Sequence, residues 1–130
     1  ALSFRLLTHT PDWPRLVGEL CRVAAHSVIV DYPTGEGLNR LAPLLFDAKK
    51  KLETNTRTWM LFTHADIRRE FARHGFFPRR DCKQFFLPMV LHRALKCRTV
   101  SVALEALCRG VGLTGRWGSP VIVEMVRRPA

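Results

Sequence analysis

The sequence has 130 residues, of which 47% are hydrophobic and 25% are charged. This balance is typical of one globular domain that buries a core, and it argues against intrinsic disorder. The longest uninterrupted apolar run, from Phe85 to Leu91, is far shorter than the roughly 20 residues that a membrane-spanning helix needs. We therefore expect a folded domain without a transmembrane segment.

The net charge of the chain is +10. Such an excess favours anionic partners, for example RNA or an anionic membrane surface. The basic residues are scattered, however, and most of them are interrupted by Asp or Glu, which is typical of solvated helix faces. Nucleic acid is therefore a less favoured partner than the net charge alone suggests.

The cysteine pattern indicates free thiols. None of the four cysteines has CxxC spacing, and all lie in apolar or amphipathic stretches, so we expect buried, reduced side chains and a cytoplasmic location. A zinc site built from His92, Cys97 and Cys108 matches no common ligand spacing, and no metal is predicted. The four cysteines are Cys21, Cys82, Cys97 and Cys108.

The first third of the chain reads as strand, helix, strand. Residues 1–7 form a short apolar run, and Asp12 is placed to cap a helix whose apolar residues recur at spacings of three and four from Trp13 to Ala24. The β-branched run Ser27–Tyr32 then predicts a buried strand. This order is a βαβ unit, so the two strands should be parallel.

The rest of the chain predicts an alternation of helices and strands. A helix is expected over residues 41–52, and a second one begins after Thr63 and ends at Gly75. Strands are expected over residues 76–86 and 120–126, with two helical stretches between residues 91 and 107 that separate near Arg98. The fold class is α/β, in a single domain of residues 1–130.

Several ordered motifs resemble class I S-adenosylmethionine-dependent methyltransferases. The segment Leu6-Leu7-Thr8-His9-Thr10-Pro11-Asp12 is similar to the end of that family's fourth strand, and the strand ending at Asp31 is similar to its fifth. Thr63 opening a helix that ends in Arg73-His74-Gly75-Phe76 is similar to the family's helix before the sixth strand. Residues 121–126 match its antiparallel seventh strand.

The resemblance covers only the C-terminal half of that fold, from the fourth to the seventh strand. It implies a partial Rossmann-like sheet that is mostly parallel, with an antiparallel last strand and helices on both faces. It also implies S-adenosylmethionine as the cofactor, although the family's glycine-rich loop and acidic strand end belong to strands that these residues lack. The chain would supply one wall of the crevice in which such a sheet binds its ligand.

The resemblance also implies site residues at the carboxyl ends of the first two strands. Leu7 and Thr8 would contact the cofactor, and His9 would orient or deprotonate the methyl acceptor, because imidazole exchanges protons near neutral pH. Asp31 and Tyr32 would face the acceptor. Two alternatives stay open: His9 hydrogen-bonds within the turn, and Asp31 caps the loop.

Residues 87–118 are expected to form a helical insertion between the last two strands. Such insertions in the family often cover the active site, so Phe86 and Met89 are candidate substrate contacts. Their apolar character favours a lipophilic small-molecule acceptor or, beside basic residues, an anionic membrane surface. Packing in a homodimer or in the core explains the same residues.

The sequence Gly110-Val111-Gly112-Leu113-Thr114-Gly115 matches GxGxxG literally, but its context is wrong for a nucleotide-binding loop. That loop requires a preceding strand and a following helix, whereas this motif follows a helix and precedes a strand. We expect helix termination and a loop here.

On the basis of the resemblance, a methyltransferase is the leading hypothesis. The alternative is a non-catalytic basic scaffold that binds RNA, anionic lipid or a protein.

Overall fold

The computed structural model of the chain describes residues 1–35, 60–87 and 96–128. The helix predicted over residues 41–52 and the first of the two stretches expected after residue 91 lie outside the described residues. Within the described parts, no helix combines the length and the apolar character needed to cross a membrane.

The N-terminal third contains the predicted βαβ unit. Strand β1 (Leu2–Ser3) pairs in parallel with β2 (Ser27–Tyr32), and helix α1 (Trp13–Val23) connects them. Helix α1 begins where it was predicted to begin, because the Asp12 carboxylate accepts the backbone N–H of Arg15 at 3.4 Å. This arrangement satisfies one of the N–H groups that a helix start leaves without an intrahelical partner.

The strand predicted over residues 1–7 is wrong in its length, because β1 ends at Ser3. Arg5 has a φ of 57°, in the left-handed region that interrupts an extended strand. The chain then forms a 3-10 turn over Leu7–His9, in which Leu7 and Thr8 are buried. The residues that resemble a strand end therefore lie in a turn beyond the strand.

The second half of the sheet consists of two further strands. Helix α2 (His64–Arg73) leads into strand β3 (Phe76–Phe85), and the chain returns in strand β4 (Ser119–Arg127). Thr63 caps α2 by accepting the Asp66 N–H at 3.1 Å, and Gly75 has a φ of 76° after the helix, so both predicted ends of this helix are confirmed.

The four strands form one mixed sheet in the order β1-β2-β4-β3. Strand β4 is antiparallel to both β2 and β3, so β1, β2 and β3 all run in the opposite direction to it. The predicted antiparallel last strand is confirmed. The carboxyl ends of β1, β2 and β3 and the beginning of β4 consequently lie at the same edge of the sheet.

The core lies on one face of the sheet. Alternate residues of β2 and β4 are buried against α1 and α2, as expected for strands with one covered face. Helices on the second face remain a prediction. The core includes Val17, Cys21, Val28, Val30, Tyr32, Ile67, Phe71, Val121, Val123 and Met125.

Two helices connect β3 to β4: α3 (Arg98–Gly110) and α4 (Leu113–Trp117). Helix α3 begins at Arg98, the point at which two helical stretches were predicted to separate. Gly110 ends this helix and Gly112 takes a φ of 81°, as helix termination requires. Gly115 lies inside α4, so the loop predicted for the glycine motif is in part a short helix.

The four cysteines are free, as predicted, but they are not all buried. Cys21 lies in the core, whereas Cys82 and Cys97 are exposed and Cys108 is half-buried. Cys82 belongs to β3, which lies at the edge of the sheet, and Cys97 precedes α3. The apolar surroundings in the sequence therefore predicted burial correctly only for Cys21.

Candidate active site

The candidate site is the sheet edge at which β1, β2 and β3 end. In α/β sheets, ligands bind outside the carboxyl ends of the parallel strands. This edge brings together the Leu7–His9 turn, the end of β2, the residues after β3 and the segment that leads into α2. The predicted site residues that the structure describes all lie at these strand ends. Leu7, Thr8 and His9 follow β1, Asp31 and Tyr32 end β2, and Phe86 follows β3.

The Leu7–His9 turn is fixed by hydrogen bonds on both sides. The Thr10 hydroxyl donates to the Leu6 carbonyl at 2.9 Å, and the Met60 N–H donates to the Thr8 carbonyl at 3.3 Å. Leu7 and Thr8 are buried, and the Leu7 side chain belongs to the core. His9 is the exposed residue of this turn. Its role toward a methyl acceptor stays a prediction.

Asp31 makes a structural contact at the end of β2. Its carboxylate accepts the backbone N–H of Arg5, which fixes the residue that turns the chain out of β1. This is a capping role of the kind that the sequence left open for Asp31. Its proposed contact with the methyl acceptor stays a prediction.

Tyr32 is buried and forms a hydrogen bond with His64. The phenol oxygen lies 2.7 Å from Nδ1 of His64, and only 2% of the Tyr32 residue is exposed. The ring of Phe62 meets Tyr32 edge-on at 6.3 Å and meets Trp13 edge-on at 5.3 Å. The phenol is thus held in an aromatic cluster, with its polar end directed at the beginning of α2.

The sequence pattern does not identify His64 as a member of the site. His64 has no partner at a recognisable sequence spacing, because its partner Tyr32 lies 32 residues earlier in the chain. The usable signal was its position directly after Thr63, which caps α2. That position places the imidazole at the same edge as the end of β2, 32 residues away in the sequence.

A short parallel contact extends the edge beyond β2. Thr34 and Phe62 form an isolated parallel bridge, in which the Phe62 N–H donates to the Pro33 carbonyl and the Gly35 N–H donates to the Phe62 carbonyl, each at 3.1 Å. The Ser119 hydroxyl accepts the Thr34 N–H at 3.3 Å. The edge is therefore linked from β2 across to the start of β4.

Phe86 is positioned by a buried carboxylate. The Phe86 N–H donates to Oε1 and Oε2 of Glu105 at 2.7 and 3.2 Å, and the Leu87 N–H donates to Oε1 at 2.8 Å. Glu105 belongs to α3 and is only 8% exposed. The carboxylate thus fixes the residues after β3 to the helix that follows them. Met89, the other candidate substrate contact, lies outside the described residues.

A basic groove lies at the opposite end of β2, about 17 Å from the candidate site according to the usual rise per strand residue. It has a volume of about 820 Å³ and contains none of the predicted site residues. Arg127 is already engaged there, because its guanidinium donates to the Cys21 and Ala24 carbonyls at 3.0 and 3.2 Å. Other polar or charged residues that line it are His26, Ser27, His74, Arg79, Glu124 and Arg128.

The donor atoms at the candidate edge do not suggest a metal. Among residues 1–35, 60–87 and 96–128, no group of three His, Cys, Asp or Glu side chains is arranged to hold a metal ion. Leu7 packs in the core, and the Thr8 carbonyl accepts the Met60 N–H. The contact of these two residues with S-adenosylmethionine stays a prediction.

Comparison with known proteins supports the fold of the chain through one similar solved structure. No family model matches the chain, and no curated protein matches it. Among solved structures, it is similar to the magnesium protoporphyrin IX methyltransferase of Synechocystis PCC 6803 with bound SAH, with a TM-score of 0.57 and 15% sequence identity. The match covers 98% of this chain and 43% of that one, so the chain spans less than half of that protein's length. The chain therefore shares its fold with the matched part of that methyltransferase.

Proposed function

We propose that these residues form the C-terminal part of the catalytic domain of an S-adenosylmethionine-dependent methyltransferase. The observation that carries the proposal is that the Leu7–His9 turn and the end of β2 follow neighbouring parallel strands at one edge of the sheet, in a chain whose fold is similar to that of a methyltransferase with bound SAH. The acceptor is a small molecule, and the apolar residues after β3 favour a lipophilic one.

In this proposal the chain contributes the acceptor side of the site. The cofactor's sulfonium supplies the methyl group, and the transfer depends mainly on alignment of donor and acceptor and on exclusion of water. His9 orients the acceptor or removes its proton. The hydrogen bond between the buried Tyr32 and the half-buried His64 fixes the end of β2 against the beginning of α2. Asp31 fixes the course of the chain between β1 and the turn.

The experiment that tests this function is calorimetric titration with S-adenosylhomocysteine. It compares the 130-residue chain with the longest encoded chain that contains it. We expect saturable binding by the longer chain and much weaker binding by the 130 residues, since the latter provide one wall of the site. Absence of binding by both would refute the proposed function.

A second test addresses His9 directly. In the longer chain, His9→Ala should leave the affinity for S-adenosylhomocysteine nearly unchanged and lower the rate of methyl transfer by about 100-fold, the ordinary contribution of a general base. The matched control is His26→Ala, which changes an exposed histidine at the opposite end of the sheet. Equal effects of the two substitutions would remove the proposed role of His9.

The basic groove supports a second candidate, a non-catalytic module that binds an anionic partner. Its basic lining, which includes Arg79 and Arg128, would favour a phosphate-bearing ligand. Titration with a single-stranded RNA oligonucleotide at increasing salt tests this candidate, because phosphate contacts weaken steeply with salt. Saturable binding of S-adenosylhomocysteine by the isolated chain would count against it.

A further inference from the structure

Helix α3 has a reversed arrangement of polar and apolar residues. Its inward side carries Ser101, Glu105 and Cys108, which are half-buried or buried. Four large apolar residues at spacings of four, three and four are exposed instead. These residues, which we call the α3 stripe, are Val100, Leu104, Leu107 and Val111.

The reversal has a local cause in Glu105. Its carboxylate is directed at the Phe86 and Leu87 N–H groups, and three hydrogen bonds to these groups fix the rotation of the helix about its axis. Residues four and three positions apart share one face of a helix, so this rotation leaves the α3 stripe exposed on the flank of the helix, about 100° around its axis from the inward residues. Leu107 is 64% exposed and Leu104 is 36% exposed.

The exposed charges of residues 96–118, the segment that carries the α3 stripe, are of one sign. The acidic residue between Lys96 and Gly118 is Glu105, which is buried, so the exposed charges of this segment are positive. Trp117 is 42% exposed, and the Arg116 guanidinium lies 5.4 Å from the centre of its ring. The basic residues of the segment are Lys96, Arg98, Arg109 and Arg116.

We propose that the α3 stripe docks on the surface of an anionic phospholipid membrane. An amphipathic helix that lies in the interface buries its apolar side chains among the acyl chains and keeps basic groups at the headgroups. Tryptophan is enriched at the level of the headgroups, which suits the exposed Trp117. The positive surface of residues 96–118 complements the negative headgroups.

The dimensions of α3 favour a membrane over a second copy of the chain. The helix has 13 residues. One face is about 20 Å long and about 10 Å wide, so two copies meeting there would bury about 400 Å², whereas stable interfaces bury about 1,200 Å² or more. A membrane surface requires no such area from a single partner. This proposal does not depend on methyl transfer.

Vesicle co-sedimentation of the 130-residue chain tests the docking. The vesicles consist of phosphatidylcholine alone or of an equal mixture of phosphatidylcholine and phosphatidylglycerol. We expect binding to the mixed vesicles, weakened by salt, and little binding to phosphatidylcholine. The double variant Leu104→Gln with Leu107→Gln should lower partitioning into the mixed vesicles by about tenfold or more, because it removes two apolar anchors.

The matched control is Val23→Gln, since Val23 on α1 is 62% exposed, close to the exposure of Leu107. It should bind the mixed vesicles like the unchanged chain, and circular dichroism verifies that each variant is folded. A charge variant, Arg98→Gln with Arg116→Gln, should weaken binding to the mixed vesicles and leave the little binding to phosphatidylcholine vesicles unchanged. Arg109 is left unchanged because it donates to the Gln84 carbonyl at 3.2 Å.

Three outcomes would overturn the proposal. The first is absence of binding to the mixed vesicles, and the second is equal binding by the double variant and the Val23→Gln control. The third is a dimer in analytical ultracentrifugation that dissociates in the double variant, which would identify a second copy of the chain as the occupant of the α3 stripe.

Discussion

The phenol oxygen of Tyr32 lies 2.7 Å from Nδ1 of His64, and this contact joins the end of β2 to the beginning of α2. Both elements are positioned independently of it, β2 by its pairing with β1 and β4 and α2 by the Thr63 cap. The hydrogen bond therefore connects two pre-formed parts of the edge and restricts the orientation of both rings.

We expect the Tyr32–His64 hydrogen bond to contribute measurably to stability. Tyr32→Phe removes the hydroxyl and keeps the ring against Phe62, so it should lower the free energy of unfolding by about 1 kcal/mol. Combined with His64→Ala in a double-mutant cycle, it should give a coupling energy of about 0.5 to 1.5 kcal/mol. Urea denaturation monitored by circular dichroism measures both, and additive effects would contradict the contact.

Loss of the Glu105 carboxylate should destabilise the chain after β3. Glu105→Ala leaves the Phe86 and Leu87 N–H groups without their acceptor, and the expected loss is about 2 kcal/mol in the free energy of unfolding. The control is Glu124→Ala, because Glu124 is more exposed and forms one ion pair, with Arg79 at 3.5 Å, of the kind that contributes little. Similar losses in the two variants would contradict the anchoring role of Glu105.

How far the sequence predicts this fold depends on the range of the interactions involved. The Asp12 and Thr63 caps, the β-branched strand Ser27–Tyr32 and the end of α2 at Gly75 follow from local chemistry, and the structure confirms them. The end of β1 was wrong because the left-handed Arg5 is stabilised by Asp31, 26 residues away. No local pattern encodes that contact.

The candidate site also divides into features that local sequence predicts and contacts between residues distant in sequence. The resemblance to methyltransferases identified the edge to which Thr8, His9 and Tyr32 belong. It did not identify His64 or Glu105, whose partners are distant in sequence and whose own surroundings are ordinary helix sequence. The reversed α3 was also unpredicted, because periodicity identifies an apolar face and does not determine which side faces the core.

Gly118 should not tolerate a side chain, although its φ of −67° is open to any residue. A Cβ at this position would clash with the Thr114 carbonyl oxygen and lie 2.9 Å from Cβ of Lys83. Gly118→Ala should therefore lower the free energy of unfolding by about 2 kcal/mol, the usual cost of overpacking.

Gly115→Ala is the matched control for Gly118, because a Cβ there meets nothing within 4 Å and the residue lies inside α4. This substitution should raise stability by about 0.5 kcal/mol through helix propensity. Urea denaturation of the two variants side by side should give opposite signs. Two variants as stable as the unchanged chain would show that α4 does not pack closely on β3.

The Cys21 thiol should be unreactive and should make stability depend on alkaline pH. Burial in the core raises the pKa of Cys21 from the ordinary thiol value of 9.0 to about 11, against a smaller lowering by the Arg127 guanidinium. A raised pKa means that the folded state retains its proton after the unfolded state has lost it. The stabilisation is thus complete below about pH 9 and is lost as the pH rises through about 11.

Two measurements check the Cys21 prediction. At pH 8, an aromatic disulfide reagent should modify the exposed Cys82 and Cys97 rapidly and Cys21 only at the rate of local opening. Urea denaturation between pH 8 and pH 11 should show a smaller loss of stability for Cys21→Ala than for Cys82→Ala, because the first variant lacks the shifted thiol and the second retains it. Rapid modification of Cys21 at pH 8, or identical pH dependence of the two variants, would show that α1 does not shield this residue from solvent.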